Sequence, residues 1–338
     1  MAEQAPFLLA DRLTRCYGAT VALDGVDLAA AEGSVLAVLG PNGCGKTTTV
    51  RIFATLLRAD SGRALVGGHD VVTGAAAVRA MIGLAGQYAA VDPFLTGREN
   101  LELVAELRHL PPSARRRHVD VLLERLGLAG AAGRLARTYS GGMRRRLDLA
   151  AALIGRPLVL FLDEPTTGLD PRSRRELWDL ISEQAGAGTT VLLTTQYMEE
   201  ADRLAGQVTV LDRGRVIATG SPAELKAKVG GDHLELTVPD PQQRQAAQEL
   251  LGTRADPAGA AEPQILRIAL RPGGEVPVAL LAELARRGVH VSDLQVHRPT
   301  LEDVFLHLTG QPAPGPPATS GRRQPVPAGP PATRGRMP

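Results

Sequence analysis

An α/β fold is predicted by three stretches read in order. Val35-Leu36-Ala37-Val38-Leu39 is an apolar run of strand length that enters a Gly-rich loop, after which Val50, Phe53, Ala54 and Leu57 recur at helical spacing. Leu158-Val159-Leu160-Phe161-Leu162 is a second continuous apolar run, ending in Asp163-Glu164, and Thr189 to Thr194 is a third. Runs without polar alternation are what parallel strands show when both of their faces are covered.

The loop between the first strand and its helix, Gly40-Pro41-Asn42-Gly43-Cys44-Gly45-Lys46-Thr47-Thr48, fits G-x-x-x-x-G-K-[ST] position for position. Its glycines leave backbone N–H groups free to face phosphate oxygens. Lys46 brings positive charge to the outer phosphates, and the Thr47 hydroxyl is placed to hold Mg²⁺. A helix N-terminus behind the loop favours the same negative charge. The acidic pair at the end of the second strand completes the chemistry. Asp163 can hold Mg²⁺, directly or through water, and Glu164 can polarise the attacking water. Two carboxylates directly after five buried apolar residues are costly unless a cation faces them. The side chain of Cys44 has two readings: a thiolate favoured by Lys46 and the helix start and covered by a bound nucleotide, or an inert small residue.

Length and composition bound the rest. With 338 residues and 44% hydrophobic content, the chain has room for about two domains. A net charge of only +2 argues against nucleic acid as the main partner. The two cysteines, Cys16 and Cys44, form no metal-ligand or disulfide spacing, which fits a reducing compartment. No apolar run approaches the roughly 18 residues of a spanning helix, so a peripheral role at a membrane is expected.

Before the loop, Val21 to Leu28 reads as a strand, and Tyr17 lies just ahead of it. From Arg51 to about Gly155 the text is mostly helical. Within it, Ser140-Gly141-Gly142-Met143 opens a helix whose Leu147, Ala150, Ala151 and Ile154 share one face, giving a second Gly-rich helix N-terminus. Arg144 to Arg146 point in different directions on that helix and read better as a solvated face than as a phosphate clamp. Val208 to Leu211 and Val216 to Thr219 form a hairpin, and Ser221 to Glu224 a capping box. Beyond Gly230 alternating strands and helical text predict a small α+β unit. Its last helix starts at Thr300, with Asp303 completing a cap, and buries Leu301, Val304, Phe305 and Leu308. The Pro/Gly/Arg-rich stretch 311–338 reads as a disordered, solvated tail.

With these motifs in this order, the chain resembles the ATP-binding subunit of an ABC transporter over about Leu8 to Glu224. The resemblance implies a P-loop NTPase fold with a helical subdomain over 1–230, followed by the α+β extension at 231–310. It also implies a head-to-tail homodimer in which Ser140, Gly141 and Gly142 of one copy close over the ATP held by the phosphate loop of the other. Gln87 falls at the family's glutamine that reaches Mg²⁺ and the attacking water. The segment 88–100 corresponds to the part that touches an integral membrane permease on the cytoplasmic face. Tyr17 stands where an aromatic stacks on adenine, and Asp170 in Gly168-Leu169-Asp170 lies in the loop that communicates across the dimer. Taken singly, these three also fit a surface glutamine, a half-buried tyrosine and a helix-capping aspartate.

Gln196 takes the place of the family's switch histidine; its amide donates a hydrogen bond but carries no charge, which predicts slow, Glu164-dependent hydrolysis without a histidine-type pH step. Tyr139 to Asp148, with Met143 in place of the usual glutamine, together with Thr195-Gln196-Tyr197-Met198 and Pro299 to Phe305, resemble the daunorubicin/doxorubicin-resistance exporter ATPases. That resemblance implies ATP-driven drug efflux through a separate permease. Export of a lipid, polysaccharide or other non-drug solute by the same architecture is the alternative, and a non-transport ATPase of the family ranks below both.

Overall fold

The computed structural model describes residues 5–86, 91–230, 232–251, 255–256, 265–270 and 278–310. Gln87 and the stretch 311–338 lie outside the described residues. In chain order the first half runs β1 (Leu8–Tyr17), β2 (Thr20–Ala30), β3 (Val35–Leu39), α1 (Lys46–Phe53), β4 (Ser61–Val66), β5 (His69–Asp70), α2 (Ala75–Met81), β6 (Ile82–Ala85), α3 (Gly97–Leu107), α4 (Pro112–Arg125) and α5 (Gly141–Leu153). The second half runs β7 (Val159–Asp163), α6 (Pro171–Gly186), β8 (Thr190–Thr195), α7 (Met198–Leu204), β9 (Gln207–Asp212), β10 (Arg215–Gly220), α8 (Pro222–Val229), β11 (His233–Thr237), α9 (Pro241–Leu251), β12 (Ala255–Asp256), β13 (Ile265–Ala269), α10 (Val278–Arg286), β14 (Asp293–His297) and α11 (Leu301–Thr309).

The central sheet has the order β10-β9-β3-β8-β7-β6, parallel except for the edge strand β10. Every residue of β3, β7 and β8 is buried, as continuous apolar runs require. The parallel register aligns Leu39 with Thr195 and Asp163 with Thr194, so the carboxyl ends of β3, β7 and β8 finish side by side. That edge, where loops leave parallel strands, is where open α/β sheets bind ligands.

A separate antiparallel sheet, β2-β1-β4-β5, covers α1, and this part of the fold departs from the expectation of mostly helical text after Arg51. β4, β5 and β6 lie in that stretch. β4 begins with the exposed Ser61-Gly62-Arg63, β5 and β6 are short, and β6 has a glycine in its middle, Gly83, packed directly against the Ala152 carbonyl. Such strands carry too little periodicity to stand out. β1 is disguised in another way. Its register shifts around Arg12, which has φ 50° and whose N–H donates to Asp27, so polar residues interrupt the alternation.

The third sheet, β12-β13-β11-β14, is antiparallel and closes its own core around Leu234, Leu236, Leu266, Ile268 and Leu284. Its concluding helix departs from the expected arrangement. Thr300 and Asp303 form the expected capping box on α11, but Leu301, Val304 and Phe305 pack with Ala37, Leu39, Val208, Val210 and Leu225 of the nucleotide-binding half. Leu308 is 39% exposed rather than buried. The apolar stripe was readable; the surface it covers was set by tertiary topology.

Behind β8 a buried polar contact joins two helices. Trp178 Nε1 on α6 donates to Glu200 Oε1 on α7 at 3.1 Å, and Glu200 is fully buried. Burial holds the Glu200 carboxyl above its ordinary 4.5, with hydrogen bonds from Thr195 and Trp178 opposing that rise. The folded chain therefore keeps a proton that the unfolded chain releases. This group's contribution to stability is full below pH 4.5 and declines as pH rises from there through its raised value. Glu200→Gln keeps an acceptor for Trp178 and removes the titration. Its urea midpoint is expected to exceed that of wild type at neutral pH and to converge on it below pH 4.5; a gap that is the same at both pH values would contradict this.

Candidate functional site: a phosphate cradle at the strand ends

The loop from Gly40 to Thr47 leaves β3 and curls over the N-terminus of α1. Its curl depends on two close approaches. Gly40 lies against the Leu211 carbonyl and the Cys44 sulfur, and a Cβ on Gly45 (φ 112°) would stand 2.6 Å from the Ala22 carbonyl oxygen. No other residue type fits either place. Pro41, Asn42 and Gly43 form the outer rim, and Thr48 follows Thr47 into the helix. Tyr17, Asn42, Gly43, Gly45, Lys46 and Thr47 line one open cavity, and the Glu164 carboxylate faces into it. Tyr17 is 45% exposed, with the Arg15 guanidinium 5.2 Å from its ring centre.

Lys46 is 4% exposed, and its ammonium donates to the carbonyls of Gly40 at 2.8 Å and Pro41 at 3.0 Å. The same nitrogen lies 3.2 Å from Glu164 Oε1. Asp163 Oδ1 accepts from the Thr194 hydroxyl at 2.6 Å and from the Thr47 hydroxyl at 3.2 Å. Glu164 has φ 49°, a left-handed conformation uncommon for a side-chain-bearing residue. It is held there because its N–H donates to the Thr194 carbonyl at 3.0 Å and hydroxyl at 3.1 Å. This backbone turn carries the carboxylate out of the strand direction and toward Lys46.

The other expected site residues divide into two groups. Gln196 is buried at the end of β8, beside the strand ends. Ser140, Gly141 and Gly142 sit apart, at the N-terminus of α5, where Ser140 Oγ accepts from the Met143 N–H at 3.2 Å. None of the three lines the cavity around Lys46. Asp170 caps α6, accepting from the N–H groups of Arg172 and Ser173 and from the Ser173 hydroxyl.

One expectation needs correction, and of the two readings left open for Cys44 the geometry favours the inert one. Arg144 to Arg146 do not share a solvated face: the Arg145 side chain is 13% exposed and donates to main-chain carbonyls at the strand ends. The sequence hides this because three adjacent arginines look alike until α5 is placed against the sheet. Cys44 is 3% exposed, and burial pushes its thiol up despite the opposing charge of Lys46, so the thiolate is disfavoured. Thr194 was missed as a site residue. Its signal was the pair of hydroxyls, Thr194-Thr195, that ends a fully buried strand.

A Gly-rich anion cradle after β3, a buried lysine and paired carboxylates at the end of β7, with β8 between the two strands, define an ATP-binding and ATP-hydrolysing domain of P-loop type. Comparison with known proteins narrows the class. Residues 23–167 match the ABC transporter family, and residues 220–309 match the ATP-binding protein DrrA1-3-like C-terminal domain. The chain is 51% identical over 313 residues to the daunorubicin resistance ATP-binding protein DrrA3 of Streptomyces coeruleorubidus, covering 92% of this chain and 97% of that one. It is 46% identical over 302 residues to the daunorubicin/doxorubicin resistance ATP-binding protein DrrA of Streptomyces peucetius, covering 89% and 92%. A solved structure of an ATP-binding subunit of an ABC transporter superposes with a TM-score of 0.61 at 26% identity, covering 66% of this chain and 92% of that one. The chain therefore belongs to the ATPase subunits of ABC transporters, in the DrrA-type group that carries the additional C-terminal domain.

The buried thiol gives a direct check on the loop geometry. Iodoacetamide is expected to label Cys16, which is partly exposed, while Cys44 reacts at least about ten-fold more slowly with or without ATP. Faster labelling at Cys44 that ATP blocks would show an open loop with an activated thiol instead.

Proposed function

We propose that this chain is the ATP-hydrolysing subunit of an exporter that moves an anthracycline-type drug through a separate membrane permease. Similarity to named resistance ATP-binding proteins along nearly the whole chain, C-terminal domain included, supports this cargo class. Among the described residues no helix is long and apolar enough to cross a membrane. In this reading the chain works from the cytoplasmic face, docked on the permease.

The residues present fit Mg²⁺. The Thr47 hydroxyl and the Asp163 carboxylate are hard oxygen donors 3.2 Å apart, and Thr194 orients the carboxylate from behind. When bound there, the ion would neutralise phosphate charge during transfer. Gln87 is assigned to the same ion on sequence position alone. The amides of Gly40 to Thr48 and the Lys46 ammonium bind the phosphates, and Tyr17 stacks on the adenine from the rim. Lys46 turns toward phosphate and leaves Glu164 free to accept the proton of the attacking water. The Gln196 amide hydrogen-bonds the outer phosphate.

Because Ser140 to Gly142 stand away from their own loop, the site is completed by those residues of a second copy arranged head to tail. Asp170 lies across that junction. ATP binding then favours the closed pair, and hydrolysis releases it, which is enough to drive a permease between two states.

The test is drug resistance in a sensitive host expressing this chain with its candidate permease. Wild type is expected to confer daunorubicin resistance and ATP-dependent drug uptake into inverted vesicles. Lys46→Ala and Glu164→Gln should each lower both by about a hundred-fold or more. Vesicles that hydrolyse ATP but accumulate no anthracycline would sink the cargo assignment and leave the ATPase intact.

A further inference from the structure

The geometry points to Arg145 as a positioning residue that ties the orientation of α5 to the backbone carrying Glu164. Its guanidinium reaches out of α5 to the ends of two strands. Nε donates to the Pro165 carbonyl at 2.8 Å, Nη2 to the Asp163 carbonyl at 2.9 Å, and Nη1 to the Gly86 carbonyl just past β6. Asp148, one turn further along α5 and 1% exposed, lies 3.5 Å from the same group. A single rigid fork thus holds the residues on both sides of Glu164, the residue already held at φ 49°.

The consequence is mechanical. Ser140 caps the N-terminus of α5, five residues before Arg145, and the helix is continuous from Gly141 to Arg145. A rotation of α5 that moves the Ser140 end also moves the carbonyls of Asp163 and Pro165, because a planar fork bonded to diverging acceptors transmits direction as well as distance. The end of the helix proposed to face a second copy's nucleotide is therefore linked to the chain's own carboxylate. Arg146, the next residue, points elsewhere: it donates to the Leu126 carbonyl and lies 3.6 Å from Glu176.

This inference rests on the reading of Glu164 as general base, and two readouts separate the ideas. Arg145→Lys keeps the charge near Asp148 but cannot span the diverging carbonyls. It is expected to lower kcat by about 10–100-fold while the affinity for a fluorescent ATP analogue changes by less than about three-fold. Amide hydrogen exchange across 163–167, measured without nucleotide, should accelerate by about ten-fold or more in Arg145→Lys. Arg146→Lys should change none of these. Unchanged exchange and kcat in Arg145→Lys would overturn the proposal, as would a loss of affinity and melting temperature as large as the loss of kcat, which marks a merely structural role. A wild-type chain without ATPase activity would fail the Glu164 reading while the exchange result still decides on Arg145.

Discussion

The buried contact between Lys46 and Glu164 sets what the rest of the structure must do. The two side chains are 4% and 9% exposed and approach to 3.2 Å. An ion pair so far from water is tolerated only with close geometry and further hydrogen bonds. The lysine finds these in the Gly40 and Pro41 carbonyls. The glutamate depends on a left-handed backbone turn that Thr194 pins from the adjacent strand. Each requirement fixes something larger. The loop must curl through glycines, β3 and β7 must flank β8, and the strand ends must align. In the proposed cycle, phosphate entering the cradle competes with Glu164 for the lysine and so uncovers the carboxylate.

The parts of this arrangement readable in the sequence were those where chemistry and periodicity coincide. The phosphate loop, the strand ending in Asp163-Glu164 and the capping boxes at Ser221 and Thr300 each combine a residue type with a local backbone rule. What escaped was set by contacts distant in sequence. Arg145 looks like either neighbour until helix and sheet meet. Thr194 gains a role only through pairing with Asp163 in the register of β7 and β8. Cys44 was ambiguous because a cation and burial push its thiol in opposite directions, and burial is invisible in a string of letters. Strands β5 and β6 were lost for want of length, and β4 because its first three residues, Ser61-Gly62-Arg63, are exposed and read as a turn.

The C-terminal region shows the same division. Its strands and helices follow from alternation, and its core is its own. Yet α11 returns to cover the edge of the nucleotide domain beside β9 and α8. The extension is thereby held to the domain at both ends, through α8 where it leaves and α11 where it returns. Burying Leu301, Val304 and Phe305 in that seam contributes on the order of 1.5–3 kcal/mol per side chain, enough to keep the extension from swinging as a free appendage.

The central claim is that the site is shared between two copies, with Ser140 of one meeting the phosphate loop of the other. The most direct measurement is disulfide cross-linking between Asn42→Cys and Ser140→Cys in a chain also carrying Cys16→Ser, Cys44→Ser and Glu164→Gln. The account predicts a covalent dimer that forms with ATP and not without it. A chain that binds ATP under the same conditions yet forms no ATP-dependent cross-link would contradict it.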